Sequence, residues 1–224
     1  MQRAKKMAKR GLAPKQERSR ESLRKLQRAT VEVLGQHGVE GATIPRIAHH
    51  AGLTPGAIYR RFHDKDALLE DAILGMLERQ VERAQSGMTP EAAAQIPLIV
   101  FTESIINGMV LGYRQNAGML RAMRIFVQGR ANTPFWRKAC KLEVRAFERV
   151  VNLFLAHRNE ITHPDPRGAV AMGLMLVIST IFDLIVMPTD LGPLKEFLPK
   201  DDLALRRELV RAFLSYLGVE QKPA

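Results

Sequence analysis

Residues 43–62 constrain the fold of this chain most, because they predict two short helices with almost no linker between them. Thr43 begins the first helix, since its hydroxyl can accept a hydrogen bond from a free first-turn amide. Gly52 ends that helix where a left-handed residue is favoured. Thr54 followed by Pro55 then starts the second helix only two residues later. Two helices joined by so tight a turn are typical of a helix-turn-helix.

The second helix of this pair has two different faces. Leu53, Ile58 and Phe62 share an apolar face, and the opposite face carries small and cationic side chains. A helix with such a face fits the major groove of DNA, where small residues let the backbone approach the base edges. Arg60 and Arg61 can each donate twice to a guanine or bind a phosphate instead. The sequence leaves both assignments open for each arginine.

The positive charge of the chain is concentrated ahead of this motif. The net charge is +11, and residues 1–28 contain eleven Lys and Arg residues against two Glu residues. A basic segment beside a DNA-reading motif suits the binding of phosphates. We therefore predict a flexible basic arm over residues 1–18, mobile without DNA. A solvated tail that only aids solubility is the alternative interpretation of this segment.

The rest of the chain repeats helical periodicity and contains no alternating strand pattern. Helix-start signals, in which a capping residue or an acid precedes the first turn, recur along it. They lie at Ser19 or Arg20, Asp64, Thr89, Thr133, Asp165 and Asp201 or Asp202. The sequence therefore predicts an all-α fold of about nine helices.

The run from residue 52 to 69 resembles the signature of the TetR-type (TetR/AcrR) family of bacterial transcriptional regulators. The matching positions are Gly52, Gly56, Tyr59, Phe62, Lys65 and Leu68. Pro55 and Arg61 depart from the residues that are common there, which bears on the operator that is read. The resemblance implies a helix-turn-helix DNA-binding domain over residues 19–66 and a ligand-binding and dimerisation domain over residues 67–224.

The DNA-binding prediction covers the motif and the helix that follows it. Its residues are Thr43, Thr54, Pro55, Gly56, Ala57, Tyr59, Arg60, Arg61 and Lys65. Thr43, the Tyr59 hydroxyl and Lys65 at a helix start are suited to phosphates, and the resemblance assigns phosphate contacts to the matching positions. The expected partner is a double-stranded operator, palindromic because helix-turn-helix proteins commonly bind as dimers to two half-sites.

A homodimer is expected because one such motif offers little surface. The candidate interface consists of the apolar helix at residues 166–187 and the last helix at residues 201–217, as the resemblance also implies. The small residues Ala169, Gly173 and Ser179 would allow close approach of the helices there.

The resemblance implies that a small molecule binds among the carboxy-terminal helices and that the fourth helix transmits its effect to DNA binding. Candidate ligand-binding residues lie on apolar faces or interrupt them: Phe101, Glu103, Met109, Met123, Phe126, Trp136, Met172, Met175 and Asp183. Methionine-rich linings suit adaptable pockets, although the same stripes equally predict ordinary core packing. The apolar excess favours a hydrophobic or amphipathic effector, and release of a repressor from its operator is the expected response.

Other classes of function find little support in the sequence. We find no phosphate loop, nucleophile elbow, helical His pair or Cys cluster, so we predict no catalytic residue, metal or cofactor. One cysteine excludes an internal disulfide and favours the cytoplasm. The apolar run at residues 169–187 is interrupted by Asp183, which favours a core or interface helix over a membrane span. The alternative function is a non-specific architectural nucleic-acid-binding protein driven by the basic arm.

Overall fold

The computed structural model describes residues 2–188 and 192–219, with side chains for residues 17, 19–188 and 192–219. Within these ranges the chain forms ten α-helices and no strand, which confirms the all-α prediction. The helices are α1 Gln2–Gly41, α2 Ile44–Ala51, α3 Pro55–Tyr59, α4 Lys65–Gln85, α5 Pro90–Ala93, α6 Leu98–Gln115, α7 Ala117–Val127, α8 Pro134–Leu155, α9 Pro166–Ile181 and α10 Asp202–Tyr216. Shorter segments are 3-10 turns at Arg158–Glu160 and Gly192–Phe197 and a π-helix at Phe182–Val186.

The helix starts predicted after α1 are confirmed by side-chain caps. In each case a Thr or Asp side-chain oxygen accepts from the amide three residues later, an interaction that contributes about 1 kcal/mol. The capping residues are Thr43, Thr54, Asp64, Thr89, Thr133, Asp165 and Asp201. The short polar side chains therefore fix most element boundaries locally, as the sequence predicts.

Helix α1 starts earlier than predicted. We expected it near Ser19 or Arg20, but its backbone is helical from Gln2. Strong helix formers, chiefly Ala, Lys, Arg, Gln and Leu, fill most of the segment before Ser19, so helix propensity extends through it. Gly38, with φ 67°, interrupts the helix, because glycine adopts a positive φ without a steric cost. The mobility of residues 1–18 without DNA stays a prediction, and Met1 lies outside the described residues.

The first of two compact units consists of Met1–Arg79 and Ala122–Ala139. This differs from the predicted boundary at residue 66, because part of α4 and residues 122–139 pack with the amino-terminal helices. Arg130 pairs with Asp66 at 2.6 Å, and its guanidinium lies 3.7 Å from the centre of the Phe126 ring. The fully buried side chains that form the core of this unit include Leu26, Leu34, Ile47, Ile58, Leu68, Leu69, Ile73 and Phe126.

A buried polar group joins α1 to α4 within this unit. The Gln27 amide nitrogen donates to the Asp71 carboxylate at 2.9 Å, and Arg79 donates to the Gln27 amide oxygen at 2.7 Å. Gly75 leaves room for this amide, since a Cβ at Gly75 would lie 2.5 Å from the Gln27 oxygen. A satisfied polar group in a core fixes the register of the two helices that supply it.

The second unit consists of Gln80–Arg121 and Cys140–Ala224. Three aromatic rings form the centre of its core: Phe101 and Phe154 lie 4.9 Å apart, and Phe154 and Phe213 lie 5.0 Å apart. Gly173 of α9 faces Phe213 of α10, and a Cβ there would lie 2.8 Å from the ring. Gly173 therefore allows close approach of two helices of one chain.

Helix α9 and the π-helix together, Pro166–Val186, are long and apolar enough to cross a membrane by length and composition. Within the protein, 44% of the apolar window is buried. Val170, Leu174, Val177 and Ile181 lie in the core of the second unit. This burial is the pattern of a core helix with one exposed face.

Candidate nucleic-acid interface

The turn between α2 and α3 has the geometry that the sequence predicts. Gly52 is left-handed, with φ 66° and ψ 37°, and its amide bonds back to α2. The Thr54 hydroxyl accepts from the Ala57 amide at 3.2 Å and starts α3. Ile58 is fully buried, which anchors α3 by its apolar face to the core of the first unit. The other face of α3 is therefore left towards solvent.

Most of the predicted DNA-binding side chains are exposed. The exposed positions are Thr43, Thr54, Pro55, Gly56, Tyr59, Arg60 and Arg61, whereas Ala57 and Lys65 are half-buried. Tyr59 exposes 56% of its surface, so its ring does not lie in the core and its hydroxyl is free to meet a partner. A Cβ at Gly56 would meet no atom within 4 Å. The start of α3 is therefore open to close approach by another molecule.

The two arginines after α3 differ in their surroundings. An Arg61 terminal nitrogen donates to the Ser19 hydroxyl of α1 at 3.3 Å. The Arg60 guanidinium has no hydrogen-bond partner among the side chains and backbone that the structure describes. Arg60 is thus the freer of the two to reach a base edge, a distinction that the sequence does not make.

Lys65 has a structural contact that the sequence analysis missed. Its ammonium donates to the Val39 carbonyl at 3.2 Å, which ties the start of α4 to the carboxy-terminal end of α1. An ammonium has three donors, so two remain for another acceptor. This lysine therefore both fixes the first turn of α4 and presents charge beside α3.

The two adjacent histidines of α2 have different surroundings. His50 lies 2.7 Å from the Glu32 carboxylate, and His49 is exposed. Over residues 2–188 and 192–219, no group of three or more His, Cys, Asp or Glu side chains is placed to hold a metal ion.

The predicted ligand-binding residues are divided between the two units. Met123, Phe126 and Trp136 belong to the first unit, and the others belong to the second. Within the second unit, Phe101 is part of the aromatic core and Met109 packs against it. The remaining four are exposed: Glu103, Met172, Met175 and Asp183.

Asp183 lines an open pocket of about 480 Å³ together with Arg121, Met187 and Pro188. Arg121, which the sequence analysis did not select, donates to the Val186 carbonyl at 2.8 Å. Its position is set by the π-helix that ends α9, and π-helical turns occur frequently at functional sites. The pocket thus combines a cation, a carboxylate and a flexible apolar side chain.

A second group of titratable side chains consists of Tyr113 of α6 with Cys140 and Glu143 of α8. Burial raises the pKa of Glu143 above its ordinary value, and burial with the nearby Glu143 charge raises the pKa of Tyr113. Burial, again with Glu143, raises the pKa of the Cys140 thiol. A raised thiol pKa lowers the thiolate fraction, so Cys140 is poorly suited to nucleophilic chemistry.

A three-helix motif with an exposed small and cationic face, followed by a separate helical unit, defines a helix-turn-helix DNA-binding regulator. Residues 26–72 match the profile described as "Bacterial regulatory proteins, tetR family". The chain is also 30% identical over 162 residues to the HTH-type transcriptional regulator BetI of Stenotrophomonas maltophilia (strain R551-3), covering 69% of this chain and 76% of that protein. The chain belongs to the TetR family of transcriptional regulators.

Solved structures share the fold at lower identity. A TetR-family regulator from Mesorhizobium loti MAFF303099 aligns with a TM-score of 0.67 at 17% identity, over 90% of this chain and 97% of that one. FadR from Bacillus subtilis, solved with stearoyl-CoA, aligns with a TM-score of 0.56 at 16% identity, over 86% and 97%. These likenesses extend the agreement in fold beyond the helix-turn-helix to nearly the whole chain.

Proposed function

We propose that this protein is a homodimeric repressor that binds a specific palindromic operator and is released by a small hydrophobic or amphipathic effector. The observation that carries the proposal is the exposed surface of small residues at the start of α3, with the exposed Arg60 and Arg61 directly after the helix. Regulators of this family bind DNA operators and small-molecule effectors. For this chain, the contacting residues, the dimer, the palindromic operator and the effector class are proposals.

Bases are read at the start of α3, and phosphates are bound around it. Thr54, Pro55, Gly56 and Ala57 have side chains small enough for the helix backbone to approach the major groove. Arg60, without an internal partner, donates to a base edge. Phosphates are bound by the other predicted residues: Thr43, Tyr59, Arg61 and Lys65.

Two copies associate through α9 and α10. Met172, Met175 and Leu176 of α9 are each about half exposed, at 49–50%, and α10 exposes Leu203. This run of large apolar side chains is what an obligate interface buries, and a stable dimer covers about 800 Å² on each copy. Met172 and Met175, predicted as ligand-binding residues, are better explained by this role.

The effector binds in the second unit, and the pocket beside Asp183 is the candidate entrance. Arg121 can pair with an anionic head group, and Met187 can contact an acyl or aryl tail. FadR from Bacillus subtilis, which has the same fold, is solved with the amphipathic thioester stearoyl-CoA. Helix α4 contributes residues to both units, so a shift of α4 on effector binding would couple the two sites.

A repressor that binds operator DNA acts in the cytoplasm, so we also propose that this protein is cytoplasmic, has no catalytic activity and does not span a membrane. DNA operators are cytoplasmic in bacteria, and α9 is accounted for as a core and interface helix. Turnover of a small molecule by the purified protein would contradict this part of the proposal.

Light scattering of the purified protein tests whether it is a dimer. A gel shift with operator DNA tests whether operator binding requires the dimer. Leu176→Asp should give a monomer that binds operator DNA weakly, because a charge cannot be buried there without a partner. Leu111→Asp is the matched control, since Leu111 of α6 has a similar exposure of 43%. It should leave both the mass and the binding unchanged. A dimeric Leu176→Asp variant would refute the proposed interface.

A further inference from the structure

A basic groove lies between α1 and the turn that joins α2 to α3. It is open to solvent and has a volume of about 380 Å³. Its lining comes from α1, with Glu21, Ser22, Lys25 and Arg28, and from the end of α2 and the turn after it, with Ala51, Gly52 and Leu53. We call it the α1–turn groove. None of these seven residues is among the predicted DNA-binding residues.

The cationic side chains in the groove make no stabilising polar contact with the residues that the structure describes. Lys25 and Arg28 are exposed, and neither has an ion pair or side-chain hydrogen bond with any residue that the structure describes. The Lys25 ammonium lies 3.8 Å from the position that a Cβ on Gly52 would take. Glu21 is the carboxylate in the lining, so the groove carries two positive charges against one negative charge.

The groove is adjacent to the surface that reads DNA. Leu53, in its lining, is followed directly by Thr54, the residue that caps α3. When a recognition helix enters a major groove, the elements beside its start face the phosphates that border that groove. Unpaired cations at this place would therefore meet the duplex backbone.

We propose that the α1–turn groove binds a phosphate of the DNA backbone, with Lys25 and Arg28 as cationic donors and the Ser22 hydroxyl as a third donor. This inference rests on the proposed function, which it extends by a phosphate site on α1. Arg can donate two parallel bonds to one phosphate, and Lys supplies a compact charge. Because a phosphate contact carries no sequence information, the groove adds affinity without altering the operator sequence.

The salt dependence of operator affinity tests the groove. Each phosphate contact contributes about −0.9 to the slope of log K against log salt, which corresponds to about eightfold in affinity at 0.1 M salt. Lys25→Gln and Arg28→Gln should each reduce the magnitude of that slope by up to about 0.9, the contribution of one phosphate contact. Each should also weaken binding equally for all operator sequences. Glu21→Gln should act in the opposite direction and strengthen binding, because it removes a carboxylate that repels the phosphate.

Lys141→Gln is the matched control, since it makes the same charge change at an exposed position of the second unit. It should leave the slope unchanged. If both groove variants keep the wild-type slope on an operator that the wild type selects, the groove inference is overturned while the proposed function stands. A changed base preference in either variant would also overturn it. A wild-type chain without any sequence preference would overturn the proposed function and the groove with it.

Discussion

Substitution of Gly173 by alanine tests the packing that holds α9 against α10. A Cβ at this position would lie 2.8 Å from two carbons of the Phe213 ring and 3.5 Å from Tyr216. Phe213 is only 2% exposed, and its ring is held against Phe154. The ring therefore cannot move aside without disturbing the aromatic core of the second unit.

The expected change in unfolding free energy for Gly173→Ala is the sum of two opposing effects. Alanine in place of glycine inside a helix stabilises by about 1 kcal/mol, whereas an extra carbon in a filled core costs about 1–3 kcal/mol. Gly108→Ala in α6 supplies the first effect alone, because a Cβ there would meet no atom within 4 Å. The difference in unfolding free energy between the two variants is thus the packing cost, about 1–3 kcal/mol.

Thermal and urea unfolding of both variants at one protein concentration measure this difference. For a chain of this size each 1 kcal/mol shifts Tm by roughly 2–4 °C, so Gly173→Ala should melt well below Gly108→Ala. Equal stability of the two alanine variants would show that α9 and α10 do not approach at Gly173. It would also remove the basis for treating their outer faces as one interface.

Three further predictions concern DNA binding and pH. Tyr59→Ala and Lys65→Ala should each weaken operator binding in a gel shift while light scattering still reports a dimer, and undiminished affinity would contradict the proposed phosphate contacts. Removal of residues 1–18 should weaken binding but keep the preference for one operator over a scrambled duplex, whereas complete loss of binding would favour the non-specific architectural alternative. The Arg114 side chain donates to Asp202 and holds the pKa of that carboxyl below its ordinary 3.8. Arg114→Gln should therefore destabilise the protein at pH 7, and the difference from wild type should shrink as the pH falls below that value. A difference that persists in acid would refute the pairing.

Local interactions explain why the element starts could be predicted from the sequence. A Thr or Asp cap accepts a hydrogen bond from the amide three residues later. The starts of the helices after Thr54 and Asp165 can therefore be predicted from local sequence alone. Gly52 likewise predicts the turn between α2 and α3, because few other residues adopt its left-handed conformation. The start of α1 was missed because strong helix formers fill most of the segment before Ser19, so the helix extends to Gln2.

Contacts between distant segments explain what could not be predicted. Gln27 meets Asp71 and Arg79 only because α1 packs on α4, and Gly75 shows no local sign of making room for that amide. The role of Arg121 similarly depends on a carbonyl 65 residues away. For the methionines, periodicity distinguishes one face of a helix from another, but it does not show whether that face meets a core, a ligand or a second chain.

Selection of bound duplexes from a random-sequence pool by the purified full-length protein tests the central claim most directly. The account predicts an enriched inverted repeat whose half-sites are centred about 34–36 Å apart, or a multiple of that distance, along the duplex. Recovery of no enriched sequence, or of a single unrepeated half-site, would contradict it.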